Sequence, residues 1–388
     1  MKIERVNLYK ILLSFVGDFS ISQKKWYSAN NIVVEIIADQ GEFKGYGEGA
    51  PRQYITGESK ESVSKSACKK VCSFIQKDTF PWELNDVSQI WDFIDILPKG
   101  NENNAAICAI EMALLDALGK AQNKYIIDYF PKDFYADKVH YEATITLGNK
   151  QRIKEISQLI KKLGIDHLRV KMGKDFKQNK ETLETVNMVY GNDCDIILDP
   201  NGVWDRELAL KHIPLIKKYN VKVVEEPMMS DNPALSEFVE VMRSLGVMLM
   251  ACHSATTLED VERLVSNNHY QMVNVKLSRS GGFRRSLRII DYLRTKKRFF
   301  QIGCHLGESG VLSAGGRALS LLSGDALYCD GSYDQFLLKA NITKKDVSFG
   351  PGGEAGPLDG PGLGVAIDKE CLVRLSDGAP IQTISNPL

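Results

Sequence analysis

Lys171, Asp199, Glu225 and Lys276 each end a short apolar or alternating stretch of this 388-residue chain. Arg169 lies two residues before Lys171, on the same side of an extended strand. Two carboxylates at the ends of adjacent strands, Asp199 and Glu225, could meet one hard cation, and Mg²⁺ takes oxygen ligands in an octahedron. Lys171 and Lys276 belong to strands on opposite sides of a ring, so their ammonium groups would face each other across whatever the cation holds. A lysine beside another cation gives up its proton more readily, and Arg169 could supply that charge. The chemistry is removal of the proton next to a carboxylate, with the enediolate stabilised by positive charge. One lysine takes the proton, and the other can return one to the opposite face.

These residues need strands to hold them, and the sequence supplies a rhythm of strands. From about residue 139, apolar runs at 141–147, 167–171, 195–198, 222–224, 247–251, 271–276, 299–303 and 326–329 alternate with helical stretches. The helical stretches are 151–163, 177–190, 206–219, 233–245, 258–267, 283–296 and 311–322. A period of roughly 25–30 residues predicts a parallel sheet covered by helices. Close to eight such strands favour closure into a barrel over an open sheet. In that architecture the working residues sit at the C-terminal strand ends. Those ends read Arg169-Val170-Lys171, Asp199-Pro200-Asn201, Glu225-Glu226-Pro227, Cys252-His253-Ser254, Lys276, then His305 to Glu308, and Asp330.

The first part differs. Residues 3–13 alternate, 31–38 form a clean strand, and 45–48 follow a turn, which predicts an antiparallel meander. Helices are expected at 62–76 and 105–120. The Gly- and Pro-rich segment 350–364 reads as a loop, followed by strand-like 364–367 and 371–375 that return to the first sheet. The expected fold is α/β: a modified (β/α) TIM-like barrel, one strand of it antiparallel in the variant considered, with an α+β capping domain. The expected boundaries are 1–138 for the capping domain, 139–335 for the barrel and 336–388 for a returning C-terminal segment.

The 49 basic and 49 acidic residues cancel, which argues against a nucleic-acid or anionic-lipid partner. No apolar run reaches the roughly 20 residues of a membrane helix. The N-terminus lacks a signal-peptide core, and the eight cysteines form no CxxC pair. A cytoplasmic protein with reduced cysteines is the expectation.

Taken together and in order, these motifs resemble the enolase superfamily, in the muconate-lactonizing branch of the mandelate racemase/muconate lactonizing enzyme family, near dipeptide epimerases and N-acylamino acid racemases. Gly45-Tyr46-Gly47-Glu48-Gly49-Ala50-Pro51 and Thr56-Gly57-Glu58 resemble its capping-domain signature, and 105–119 the helix leading into its barrel. Arg169-Val170-Lys171 is similar to its Lys-x-Lys motif. Asp199-x-Asn201 and Glu225-Glu226-Pro227 resemble its first two metal ligands. Lys276 with Gly281-Gly282 resembles the second lysine motif, and Gly360-Pro361-Gly362-Leu363-Gly364 its closing signature. The Lys-or-His base with Mg²⁺ is a known feature of that superfamily.

The resemblance implies a racemase or epimerase acting by proton transfer between Lys171 and Lys276 on an amino-acid derivative or related small-molecule carboxylate. A cycloisomerase, a syn-dehydratase and a non-catalytic carboxylate binder are the alternatives. It also implies a homo-oligomer. It assigns substrate or supporting roles to Asn201, His253, His305, Glu308 and Asp330, and to Phe19, Tyr54 and Ile55 on two substrate-covering loops, 15–22 and 53–58.

Two departures stand out. Arg169 replaces a lysine and keeps its charge. Ala251-Cys252-His253-Ser254 stands where the family carries an Ala-Asp-Glu-Ser type motif, so Cys252 falls on the third metal-ligand position. A thiolate is a soft ligand and a poor partner for Mg²⁺. Three outcomes stay open at this point: a site shifted toward Mn²⁺, Fe²⁺ or Zn²⁺, weak Mg²⁺ binding with water in the gap, or loss of the metal. The eighth strand reads Asp330-Gly331-Ser332 where dipeptide epimerases carry Asp-x-Asp for an α-ammonium group. Plainer readings compete throughout. The lysines would be surface charges, Asp199 a turn cap before Pro200, Cys252 a core thiol, and His305 and Glu308 ordinary loop polarity.

Overall fold

A computed structural model of the chain describes residues 1–21, 24–52, 60–376 and 378–387, with side chains at all of these except 18–21, 24–25 and 60–63. Three antiparallel strands open the chain: β1 (Ile3–Ile21), β2 (Lys24–Ala38) and β3 (Phe43–Gly49). The expectation of a covering loop at 15–22 needs correction. The backbone there stays in β1 as far as Ile21 and pairs with β2, Phe19 opposite Trp26.

Two helices follow, α1 (Lys60–Ile75) and α2 (Val87–Asp95), and then α3 (Asn101–Gln122). The second of these was not foreseen from the sequence. Every residue of α3 from Ala106 to Gly119 is buried, because one side meets β3 and the other the barrel. A helix that is apolar all round is one buried all round.

The Gly45-x-Gly47-x-Gly49 pattern has its reason here. A Cβ added at these positions would lie 2.2 Å from the Ala113 carbonyl oxygen, 2.1 Å from that of Ala109 and 2.0 Å from that of Ala105. Three glycines on one face of the strand let it press against the helix backbone, and alanines every four residues complete the fit.

The barrel has eight strands in sequence order: β4 (Ala143–Ile145), β5 (His167–Lys171), β6 (Asp195–Asp199), β7 (Val221–Glu225), β8 (Met248–Ala251), β9 (Met272–Lys276), β10 (Phe299–Gly303) and β11 (Tyr328–Cys329). Every neighbouring pair is parallel, so the antiparallel strand considered from the sequence is not there. A parallel bridge from Tyr141 to Cys329 closes the ring, with the Glu142 N–H donating to the Cys329 carbonyl at 2.8 Å. Inside it, Ile197, Val223, Met250, Met272 and Tyr328 form a buried cluster of their own. Ile197, Val223 and Met272 share, by the two-residue repeat, the strand faces of Asp199, Glu225 and Lys276. The ring is therefore filled below and ionisable above.

The C-terminal segment does return to the first sheet: β12 (Gln382–Ser385) pairs antiparallel with β1. The strand expected at 371–375 is instead a helix, Lys369–Leu375. Asp368 caps it, accepting from the Cys371 N–H at 2.9 Å, and a satisfied N-cap outweighs strand propensity in so short a segment. No helix among the described residues is long and apolar enough to cross a membrane.

One buried histidine gives the fold a measurable acid response. His212 stacks on Trp204 with ring centroids 4.1 Å apart. Its two ring nitrogens face the Leu208 carbonyl at 2.7 Å and the Asn179 side-chain amide at 3.0 Å. Burial pushes its pKa down from 6.5 to about 4. The unfolded ring takes its proton near 6.5, whereas the folded one waits until about 4. Between those values the unfolded state binds more protons, and stability falls as pH falls. Denaturant titrations should therefore lose roughly 2–3 kcal/mol across this window, and His212→Gln should flatten the step. An unchanged slope in the variant would reject the assignment.

Candidate active site

Lys171, Asp199, Glu225 and Lys276 all end their strands at the same rim of the barrel. Lys171 and Asp199 are register partners, and the Lys171 ammonium donates to Asp199 Oδ2. It also lies 3.4 Å from Asn201 Oδ1. The other Asp199 oxygen accepts from the Asn201 N–H at 2.9 Å. Lys171 and Lys276 stand four strands apart in a ring of eight, on opposite sides of it.

Arg169 is the hub beneath them. Its side chain is 2% exposed. Its Nε and Nη2 both donate to Glu142 Oε1, at 2.7 and 2.5 Å, and Nη1 donates to Glu225 Oε2 at 2.5 Å. Asp330 lies 3.6 Å and Asp199 3.9 Å from the guanidinium. Glu225 Oε1 accepts from the Asn274 side chain at 3.0 Å. Burial alone would raise the Glu225 pKa, but Arg169, Lys276 and Lys171 outweigh it and hold the group below the usual carboxylate range. Glu142 is pulled both ways: burial raises it, and the two hydrogen bonds from Arg169 oppose that rise.

Gly303 makes room for this network, since a Cβ there would come within 2.2 Å of Asn274 Oδ1. Backbone strain gathers at the same rim. Asn201 and Glu226, each just past a carboxylate, hold positive φ of 53° and 43°. Such outliers persist where surrounding contacts enforce them, commonly at functional sites.

Cys252 follows β8 at this rim. Its N–H donates to Glu226 Oε2, and its Sγ accepts from Arg279 Nη1 at 3.0 Å. Burial, with Glu225 beside it, pushes the thiol up to about 12. His253 is only partly buried as a residue, yet desolvation of its ring and then the charges of Lys276 and Arg279 bring it down to about 3. His305 is also driven well below its usual value, by burial first and then by Arg52 and Lys276. Two neutral imidazoles thus share the mouth with Lys276. Glu308 accepts from the His305 N–H at 2.6 Å and is pushed up to about 8 by burial.

The capping sheet holds this loop. Glu48 accepts from the N–H groups of Ser309, at 3.1 Å, and Leu312, at 2.9 Å. Arg52 donates to the Leu306 carbonyl at 2.8 Å. Tyr54 and Ile55 lie outside the described residues, as does the side chain of Phe19.

Asp330 is already engaged. Tyr333 OH donates to its Oδ1 at 2.6 Å, and Arg169 stands on its other side. Ser332 is committed to Arg317, whose Nη2 donates to its Oγ at 3.0 Å.

Sequence reading missed Glu142, Asn274 and Arg279. A signal existed for two of them. Glu142 is a charge in an apolar run, and Asn274 precedes Lys276 by two residues, as Arg169 precedes Lys171. Arg279 lies beyond its strand, in a one-turn helix, Leu277–Ser280, and carried no periodic mark.

Comparison with known proteins places the fold in a family. Residues 151–371 match the model of the enolase C-terminal domain-like family, and residues 17–130 match that of the mandelate racemase / muconate lactonizing enzyme N-terminal domain. The chain belongs to the mandelate racemase/muconate lactonizing enzyme family of the enolase superfamily. It is 25% identical to a hydrophobic dipeptide epimerase of Enterococcus faecalis, over 98% of each chain. The fold superposes on the N-succinyl Arg/Lys racemase of Bacillus cereus with a TM-score of 0.84 at 22% identity, covering 100% of both chains. It superposes on a Cytophaga hutchinsonii dipeptide epimerase, solved with Mg and D-Ala-L-Val, with a TM-score of 0.81 at 23% identity, covering 99% of this chain and 100% of that one.

The family's metal can be tested against the donors present. Asp199 and Glu225 are hard oxygen donors from adjacent strands, as Mg²⁺ requires. The thiol of Cys252 is not, and no grouping of three His, Cys, Asp or Glu side chains poised for a metal occurs among the described residues. The fit extends to two ligands.

Proposed function

We propose that this family member is a racemase or epimerase that moves the α-proton of a carboxylate between Lys171 and Lys276. The observation that carries this reading is the opposition of two lysines across an eight-strand ring, both acting on the charge of Glu225 between them. A substrate held over that carboxylate would present its α-carbon to a lysine on each face. One amine removes the proton while the opposite ammonium delivers another, which inverts the centre. Arg169 fixes Glu225, and Asn201 with Asp199 orients Lys171.

Mg²⁺ would be held by Asp199 and Glu225 with water filling its remaining positions, and when bound it would acidify the α-proton and stabilise the enediolate charge. Mn²⁺ could use the same two oxygens. Zn²⁺ would favour the Cys252 thiolate, which burial disfavours by pushing the thiol up to about 12. A homo-oligomer belongs to this reading on the family resemblance alone, and a cytoplasmic location is part of the same proposal.

The eighth strand narrows the substrate. Asp330 already has Tyr333 and Arg169 as partners, and Ser332 is tied to Arg317. Neither offers a free anion to an α-ammonium group, which favours N-acylated amino acids over dipeptides. The test is deuterium incorporation at the α-carbon in D₂O, followed by NMR across N-succinyl amino acids, N-acetyl amino acids and dipeptides with Mg²⁺ present. N-acylated compounds should exchange at least about tenfold faster than dipeptides, since an unpaired ammonium in a desolvated site costs more than 1.4 kcal/mol. Faster exchange with dipeptides would remove the substrate assignment. No exchange with any carboxylate would remove the enzyme reading in favour of a binding role.

A further inference from the structure

Asp199 and Glu225 bring two carboxylates to the mouth of the barrel, and all four of their oxygens already accept hydrogen bonds. Their donors are the Asn201 N–H and Lys171 on one, and Asn274 and Arg169 on the other. At the position that the family resemblance gives to a third ligand stands Cys252, whose Sγ lies 3.0 Å from the Arg279 guanidinium. Arg279 is 3% exposed. Its Nη2 donates to the Asn274 carbonyl oxygen, and its Nε–H has no acceptor among the described residues. A cation with an unused donor therefore lies where a third carboxylate would complete a metal's ligand set. A divalent ion entering here would have to share its two oxygens with Lys171 and Arg169. It would gain no third anion from Cys252, whose neighbour Glu226 is taken up by the Cys252 N–H, and would face Arg279 at close range, where little water intervenes to screen the repulsion.

We propose that the Cys252–Arg279 pair leaves the substrate-free protein with only a weak hold on a divalent cation at this rim, so that Asp199 and Glu225 keep the ion tightly only when a substrate carboxylate adds its charge. The inference rests on the reading of Asp199 and Glu225 as the cation-facing pair. It goes beyond that reading in making Arg279 the residue that decides metal affinity. Cys252→Asp restores the anion, and Arg279→Met added to it removes the opposing charge.

The experiment is Mn²⁺ titration followed by the electron paramagnetic resonance of the free ion, with no other ligand present. The native protein should leave most of the millimolar Mn²⁺ free. Cys252→Asp should take up one equivalent. The double variant should bind about tenfold tighter again, and Asp199→Asn in that background should abolish uptake. Thermal melts of each variant establish that it is folded. Tight uptake of one equivalent by the native protein, lost in Asp199→Asn, overturns the proposal. Failure of folded Cys252→Asp and of the double variant to bind more tightly than the native protein overturns it as well, because the pair would then not be what weakens the hold on the ion. Proton exchange is measured separately, so its absence with the expected titrations would sink the racemase reading alone.

Discussion

Lys171→Met should lose racemisation by on the order of 10²–10⁴-fold, the range that one positioned acid–base group supplies. Lys276→Met should do the same. The two variants should differ in what they keep. Each retains one lysine on one face of the substrate, so each should still wash deuterium into the enantiomer whose α-proton points at the surviving amine, with no inversion. Chiral chromatography beside NMR exchange separates the two outcomes. Lys171 is only 12% exposed and its partner is Asp199, so circular dichroism must show that the fold survives. Racemisation near the native rate in a folded Lys171→Met protein would end the two-lysine mechanism. Loss of all exchange in one variant, with exchange kept in the other, would point to a single-base reaction, as in a cycloisomerisation or a syn-elimination.

Arg169→Met should cost about 3–5 kcal/mol of stability, the usual consequence of removing one partner of a buried ion pair. The guanidinium contacts Glu142 and Glu225 directly and has Asp330 and Asp199 within 3.9 Å. Without it these acids must take protons or draw in water. Arg169→Lys should recover only part of the loss. An ammonium cannot donate two bonds to Glu142 and a third to Glu225 with the geometry of a planar fork. Glu142→Gln in the Arg169→Met background should give back some stability, since it removes one uncompensated charge. Urea unfolding measures all three. A loss below 1 kcal/mol in Arg169→Met would mean that the acids are already neutral in the native protein.

The positions of the strand ends were legible before any coordinates. His167–Lys171 and Phe299–Gly303 fall where the strand–helix period placed them, because apolar residues at every second position between helical stretches mark a strand. The helix at 369–375 was misread. Seven residues with mixed apolar spacing do not separate the two periods, and a single capping aspartate decided the matter. The 15–22 stretch was expected as a covering loop through the family resemblance, yet strand β1 runs on through Ile21 beside β2.

The sequence by itself determined which strand-end groups this protein brings together, since a fixed strand–helix period puts the last residue of each strand at one rim of one ring. It could not determine their electrical state. Arg169 was read as a second charge beside Lys171, but in the fold it is the counter-ion of Glu142 and Glu225. Cys252 was read as a ligand or a core thiol, but in the fold it is the acceptor of Arg279. Those pairings cross strands and loops distant in the chain. Burial and the nearest opposite charge, which set the protonation and the partners of each group, are properties of the closed barrel alone.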